Sequence, residues 1–216
     1  MSTSDRAAAI AALLDAHLSV SPDAAVPPNT LPLAVPTFGR AEVAEAIDAL
    51  LDGWLTMGQR VFAFERAWAD YVGARHCIMV NSGSSALLVM LTALIETGQL
   101  QPGEEVVVPA VGWSTSLSSV LRAGLRPVLV DVDAQTLCLE GHHERAILAL
   151  HLLGQPSRAT SSRLLLEDAC AAHGAEVDGV KVGARGVAGA FSFFFSHHIT
   201  TGEGGMICVQ DDVLAD

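Results

Sequence analysis

From residue 77 onward the sequence alternates short, uninterrupted apolar runs with helical segments: CIMV, a helix beginning at Ser84 or Ser85 and reaching Glu96, EVVVPA, a segment from Ser116 to Arg122, then PVLVDVD. Runs rich in β-branched residues and bounded by Gly and Pro predict strands buried on both faces. Their alternation with helices predicts a mostly parallel α/β sheet flanked by helices, because parallel neighbours must be joined by a crossover. Further strands are predicted over residues 147–153, 164–167, 189–195 and 205–209. Two connections are tight for this pattern. Only GQPSRATSS separates ILALHLL from RLLLED, and about a dozen residues with little helical patterning separate PVLVDVD from ILALHLL. A parallel crossover takes at least ~10–12 residues including its helix. The expectation is therefore a shortened or incomplete version of a larger fold.

Upstream, RAAAIAALLDAHL over residues 6–18 places Ile10, Leu13, Leu14 and Leu18 at helical spacing. A Pro-rich stretch over 22–36 follows, so residues 1–30 are expected to form a helix and connector and residues 31–216 the main body. Two more helices are expected over 40–54, stopped near Gly53, and over 61–71, stopped at Gly73.

Half of the 216 residues are apolar, which suffices for a sizeable core. The 24 acidic against 12 basic residues give a net charge of −12, and no Lys/Arg block occurs, so nucleic acid is not an expected partner. The most apolar stretch, 86–95, is far short of a bilayer span, and the N-terminus lacks the basic start and apolar run of a secretory signal. A soluble cytoplasmic protein is expected. Cys77, Cys138, Cys170 and Cys208 are widely spaced without CxxC or Cys/His metal patterns, and are read as buried, reduced thiols with no metal. Eleven of the twelve basic residues are Arg, leaving Lys181 as the only lysine.

Three segments carry chemistry. Asn81-Ser82-Gly83-Ser84-Ser85-Ala86 joins a strand to an apolar helix; such a turn offers backbone N–H groups and hydroxyls to a phosphate, or simply caps the helix. Glu167-Asp168-Ala169-Cys170 closes a strand, where a carboxylate at the C-terminal edge of a parallel sheet either meets a ligand or caps a helix. The aromatic strand FSFFF delivers His197 and His198 into a Thr/Gly loop. Adjacent residues on irregular backbone point apart, which disfavours a shared metal. One imidazole with a pKa near ~6.5 suits proton transfer instead.

In this order the segments, together with WLTMGQRVFAFERAWADYVGARHCIMVNSGSSAL, PGEEVVVPAVGWSTSLSSVLRAGLRPVLVDVD and HLLGQP, resemble the DegT-type family of pyridoxal-phosphate enzymes that act on nucleotide-linked sugars. The resemblance implies the large domain of a fold-type I transferase lacking the small C-terminal domain, and a homodimer. It implies pyridoxal or pyridoxamine 5′-phosphate as cofactor, with Gly83, Ser84 and Ser192 at the phosphate, Trp113 stacked on the ring and Asp168 paired with the ring nitrogen. Where aminotransferases of the family carry their cofactor-binding lysine, this chain has His197. Imidazole cannot make that covalent link, and Lys181 lies in a turn that the family places elsewhere.

A histidine at this point resembles the family's 3-dehydratases, which implies removal of the C3 hydroxyl of a nucleotide-linked 4-keto sugar, with His197 as acid/base. Glutamate as amino donor, or an iron–sulfur partner reaction, would complete the cycle. Two alternatives stand beside it: a sugar aminotransferase without the usual lysine, and an inactive fragment that keeps the dimerising surface. Ala171 departs from the family pattern, standing where relatives carry Gln, Glu or Asp near the cofactor ring.

Overall fold

The structure is a computed structural model that describes residues 3–19, 26–32, 34–35 and 38–216. The chain divides into two compact units, Met1–Phe62 and Ala63–Asp216. Much of the Pro-rich stretch expected to form a connector lies outside the described residues.

In the first unit, α1 (Thr3–His17) buries Ile10 and Leu14, one turn apart. Helix α2 (Arg40–Leu51) opens with the Gly39 amide donating to the Glu42 carboxylate at 2.7 Å and ends at Gly53, whose φ of +71° suits the left-handed turn there. Arg6 and Arg60 both grip the carboxylates of Asp48 and Asp52, at 2.6–3.1 Å. Next comes α3 (Gln59–Val72), which buries Trp68, Ala69 and Val72 and stops at Gly73.

The remaining elements are β1 (His76–Val80), α4 (Gly83–Glu96), β2 (Glu105–Pro109), α5 (Ser114–Arg122), β3 (Arg126–Val130), β4 (His142–His143), β5 (Ala146–Leu150), β6 (Thr160–Ser161), β7 (Leu165–Asp168), β8 (Glu176–Val177), β9 (Val180–Lys181), β10 (Ala188–Ser192), β11 (Gly205–Val209) and α6 (Asp212–Ala215). Seven strands form one sheet in the order β1-β11-β10-β7-β5-β2-β3. From β10 through β7, β5 and β2 to β3 every pair is parallel; β11 runs antiparallel to both β10 and β1. The mostly parallel α/β sheet expected from the sequence is what forms.

Alternation along the strands feeds two cores. Val106, Val108, Leu148, Leu166, Ala190 and Ile207 face α4 and α5, where Leu87, Leu91 and Leu94 cover them. On the opposite face Trp68 and Val72 of α3 pack with Phe191, Phe193, Met206 and Cys208, and Leu139 and Ala159 cover Val107, Ile147 and Ala149.

The tight connections are real. Residues 151–164, between the parallel neighbours β5 and β7, form a 3₁₀ turn at Leu152–Gly154 and the short β6, which pairs parallel with β4 from the other short connection. Extended chain stands where a crossover helix would lie. Two strands also end earlier than expected. Beyond Leu150 the chain bends, with Leu153 at φ +52°, and beyond Ser192 the Phe193 backbone bonds to Gly204 and Thr201 of its own loop.

Candidate functional site

The site gathers at the C-terminal ends of the parallel strands, the usual ligand edge of an α/β sheet. Asp168, the last residue of β7, is buried. Its Oδ2 accepts the Ser116 hydroxyl from α5 at 2.6 Å, and its Oδ1 accepts the Cys170 amide at 3.2 Å. Among the described residues its hydrogen bonds thus come from a hydroxyl and an amide, not from a cation. A buried carboxylate so placed is suited to a cationic donor brought by a ligand.

Trp113 caps the start of α5 one turn before Ser116 and is largely exposed. It lines a cavity of about 110 Å³ with Pro109, Gly112, Ser116, Leu129 and Leu150, at the ends of β2, β3 and β5. Whole-ligand sites span ~300–1,000 Å³, so this hollow is smaller than a site for a whole ligand.

On the other side of Asp168, Gly83 opens α4 against β10. A Cβ on Gly83 would stand 2.6 Å from Ser192 Cβ and 2.8 Å from Cys170 Sγ, so only glycine allows this approach. The turn is pinned by Ser82, whose Oγ accepts the Ser85 amide at 3.1 Å, while Ser84 is exposed at the helix N-terminus. Ser116, Asp168, Cys170, Gly83 and Ser192 therefore form a continuous chain of contacts. A helix N-terminus with a hydroxyl beside it fits a phosphate, and the uncompensated carboxylate fits a ring cation.

His197 is half-buried in the loop after β10, its amide bonded to the Phe194 carbonyl at 3.0 Å. Burial and the neighbouring His198 lower its pKa, while the Asp168 charge pulls the other way. His173 lies 5.9 Å from His197 and 5.7 Å from His198 between ring centroids. Both His173 ring nitrogens are buried without a hydrogen-bond partner among the described residues, and burial, aided by the two other imidazoles, lowers its pKa to about 4. Among the described residues no group of three or more His, Cys, Asp or Glu is arranged to hold a metal ion.

Glu167, the chain neighbour of Asp168, faces the opposite side of the sheet and is fully buried. Its Oε2 accepts the Arg185 and Gly186 amides at 2.8 Å each, and its Oε1 meets His151 Nε2 at 3.1 Å and the Arg185 guanidinium at 3.5 Å. His151 Nδ1 accepts the Ser157 amide at 3.0 Å, which puts the imidazole proton on Nε2 and makes it the donor to Glu167. Desolvation pushes the Glu167 carboxyl up; the His151 hydrogen bond, the Gly186 amide and the Arg185 charge outweigh it and hold the carboxyl below its ordinary value. The His151 amide donates to the Asp168 carbonyl at 3.0 Å, tying this network to the site.

Gly83, Trp113, Asp168 and Ser192, singled out in the sequence, thus share one strand edge, with Ser84 on the adjoining turn and His197 within the electrostatic reach of Asp168. Lys181 does not join them: on the β8–β9 hairpin its Nζ bonds Glu176 at 2.9 Å and sits over the Tyr71 ring. Sequence reasoning missed Ser116 and His151. The signal for Ser116 was its position three residues after Trp113, on the same helical face. No local signal linked His151 to Glu167.

A family model described as the DegT/DnrJ/EryC1/StrS aminotransferase family matches residues 36–216. The chain is 38% identical over 202 residues to the GDP-4-keto-6-deoxy-D-mannose 3-dehydratase of Yersinia pseudotuberculosis, which covers 85% of this chain and 51% of that protein. The solved structure of E. coli GDP-4-keto-6-deoxy-D-mannose-3-dehydratase with bound hydrated PLP superposes with a TM-score of 0.78 at 36% identity, covering 86% of this chain and 52% of that one. The same TM-score and identity hold for a structure of GDP-4-keto-6-deoxymannose-3-dehydratase with a trapped PLP-glutamate geminal diamine, covering 86% of this chain and 53% of that one. The chain spans about half the length of the curated relatives it matches.

Proposed function

The chain belongs to the DegT/DnrJ/EryC1/StrS aminotransferase family, and from that premise we propose that it binds pyridoxal or pyridoxamine 5′-phosphate and serves the C3 deoxygenation of a nucleotide-linked 4-keto-6-deoxy sugar. The relatives named 3-dehydratases support the reaction class, and GDP-4-keto-6-deoxymannose is the first substrate to test. The observation that carries the reading is His197: an imidazole held near Asp168 on the loop after β10, while the only lysine is engaged elsewhere with Glu176.

Each residue has a physical task. Asp168, a buried carboxylate at the strand edge, would hold the cofactor's ring nitrogen by a charge-assisted hydrogen bond. Trp113 presents a flat indole beside the hollow and fixes the ring's orientation. Gly83 lets the α4 N-terminus approach the phosphate closely, and the Ser84 and Ser192 hydroxyls donate to it. When bound, the protonated pyridine ring supplies an electron sink for eliminating the sugar hydroxyl. His197, whose pKa burial lowers, would take and return the proton in that elimination. In this reading the protein is a cytoplasmic homodimer, and glutamate renews the amine form of the cofactor. Exposed apolar side chains around the strand edge, Trp113, Leu153 and Phe195, support a site finished by further protein surface.

The test adds pyridoxamine 5′-phosphate to the purified chain, follows its near-ultraviolet absorbance, and then assays C3–O cleavage of GDP-4-keto-6-deoxymannose. Cleavage that requires the cofactor and vanishes in His197→Asn is the expected result. Amination at C4 with an intact C3–O bond overturns the dehydratase reading, and the absence of any cofactor spectrum overturns cofactor binding. Borohydride reduction bears on the aminotransferase alternative: a covalent adduct at Lys181 would revive it.

A further inference from the structure

Cys77 of β1 and Cys208 of β11 are 131 residues apart in sequence and face each other directly across the antiparallel ladder. Their side chains project to the same side of the sheet, and the sulfurs are 2.9 Å apart. Directly opposed cross-strand residues hold their Cβ atoms ~4.5–5.5 Å apart, against ~3.5–4.5 Å in a disulfide, so bond formation asks for a small closing movement only. Cys138 and Cys170 have no such neighbour: the Cys138 thiol donates to the Gln155 carbonyl, and Cys170 packs against Gly83. Neither Cys77 nor Cys208 takes part in the proposed site.

Burial sets the order of reaction. Cys208 is 1% exposed, and desolvation, the facing Cys77 and the Glu167 charge raise its thiol pKa well above the ordinary value. Cys77 is 8% exposed and lies on β1, the edge strand of the sheet, which is the easier position to reach by a local opening.

We propose that Cys77 and Cys208 are a redox pair that closes to an intrachain cross-strand disulfide by exchange with a small-molecule disulfide such as oxidised glutathione. The Cys77 thiolate attacks one glutathione sulfur, a Cys77–glutathione bond forms, and the first glutathione leaves as a thiolate. The Cys208 thiolate then attacks the Cys77 sulfur and displaces the second glutathione. Two protein thiols are oxidised, one glutathione disulfide is reduced to two thiols, and the two protein protons pass to the departing thiolates.

The bond would fasten the edge strand to its neighbour at a telling place. Three residues beyond Cys77, β1 runs into the turn before Gly83. Gly205 at the start of β11 packs so closely on that turn that a Cβ there would stand 2.2 Å from the Ser82 carbonyl oxygen. Oxidation therefore stabilises the two strands that frame the turn.

The experiment treats the folded full chain with oxidised glutathione at mildly alkaline pH, alkylates the remaining thiols under denaturing conditions, and maps peptides by mass spectrometry. The expected result is a linked Cys77–Cys208 peptide pair, with Cys138 and Cys170 alkylated and full reversal by a phosphine reductant. The oxidised chain should unfold at a higher temperature than the reduced one, and Cys208→Ser should stop at the Cys77–glutathione adduct. Recovery of Cys77 and Cys208 alkylated after treatment overturns the proposal. So does a disulfide between two chains, or a link that forms only when the protein is treated unfolded.

Discussion

Ser116 reaches from α5 to donate its hydroxyl to Oδ2 of Asp168 at 2.6 Å, and both side chains are buried. The bond fixes the carboxylate's orientation, leaving its charge available to a ligand cation. A hydrogen bond to a charged group contributes ~1.5–3 kcal/mol, and ~1.4 kcal/mol is a factor of ten in affinity. Ser116→Ala is expected to weaken pyridoxal-phosphate binding about 10-fold by the same conversion. Asp168→Asn, which removes the charge itself, should weaken it by about 100-fold or more. Spectrophotometric titration of both variants checks this, and equal affinities in the two would separate Asp168 from the cofactor.

Gly83 tests the cradle on its steric side. Adding one Cβ forces Ser192 or Cys170 to move, and overpacking of this kind costs ~1–3 kcal/mol. Gly83→Ala should lower urea-unfolding stability by about that much and weaken phosphate binding as well. Ser84→Ala, at an exposed position, should weaken binding and leave stability unchanged.

The Glu167 network carries stability without touching the proposed cofactor. Removing one member of a buried, hydrogen-bonded charge cluster leaves its partners unpaired, at a cost of ~3–5 kcal/mol. Glu167→Ala strands the His151 Nε2–H and two amides and leaves the Arg185 guanidinium with the Ser157 carbonyl but no counter-charge, so the expected loss falls in that range. Chemical denaturation measures it. A loss below ~1 kcal/mol would mean that water replaces the carboxylate at little cost.

The parallel sheet was legible because β-branched runs such as EVVVP need burial on both faces, and this demand is written locally. The places of Asp168 at a strand end and of Gly83 at a helix start were legible locally too, whereas a role for either at a cofactor came only from the family resemblance. Ser116, His151 and the Cys77–Cys208 pair were not. Their partners lie 52, 16 and 131 residues away, and only the sheet order brings them together. The early ends of β5 and β10 escaped notice because apolar runs continue through Leu152, Leu153 and Phe193 to Phe195 after the backbone has left the ladder. Hydrophobicity marks burial, and it does not mark where strand hydrogen bonding stops.

His173 gives the fold a pH dependence whose sign can be worked out. Its pKa is about 4 in the folded chain against an ordinary value of 6.5, so between those two pH values the unfolded chain binds a proton that the folded chain refuses. Stability is therefore constant above about pH 6.5, falls as the pH drops toward 4, and His173 adds no further loss below that. The full difference is at most about 3–4 kcal/mol, at 1.36 kcal/mol per unit. His197, also lowered by burial, acts with the same sign below about pH 6.5, and Glu167, held low, loses its contribution as the pH falls below about 4.5. His173→Phe isolates the one contribution. It keeps a ring among Trp68, Phe191 and Phe193, whose centroids lie 5.3–5.8 Å from the imidazole, and it removes the titrating nitrogens. Urea unfolding at pH 7 and pH 5 should show a smaller stability loss in the variant than in the parent chain. Identical losses would place the titrating group elsewhere, with the half-buried His197 the next candidate.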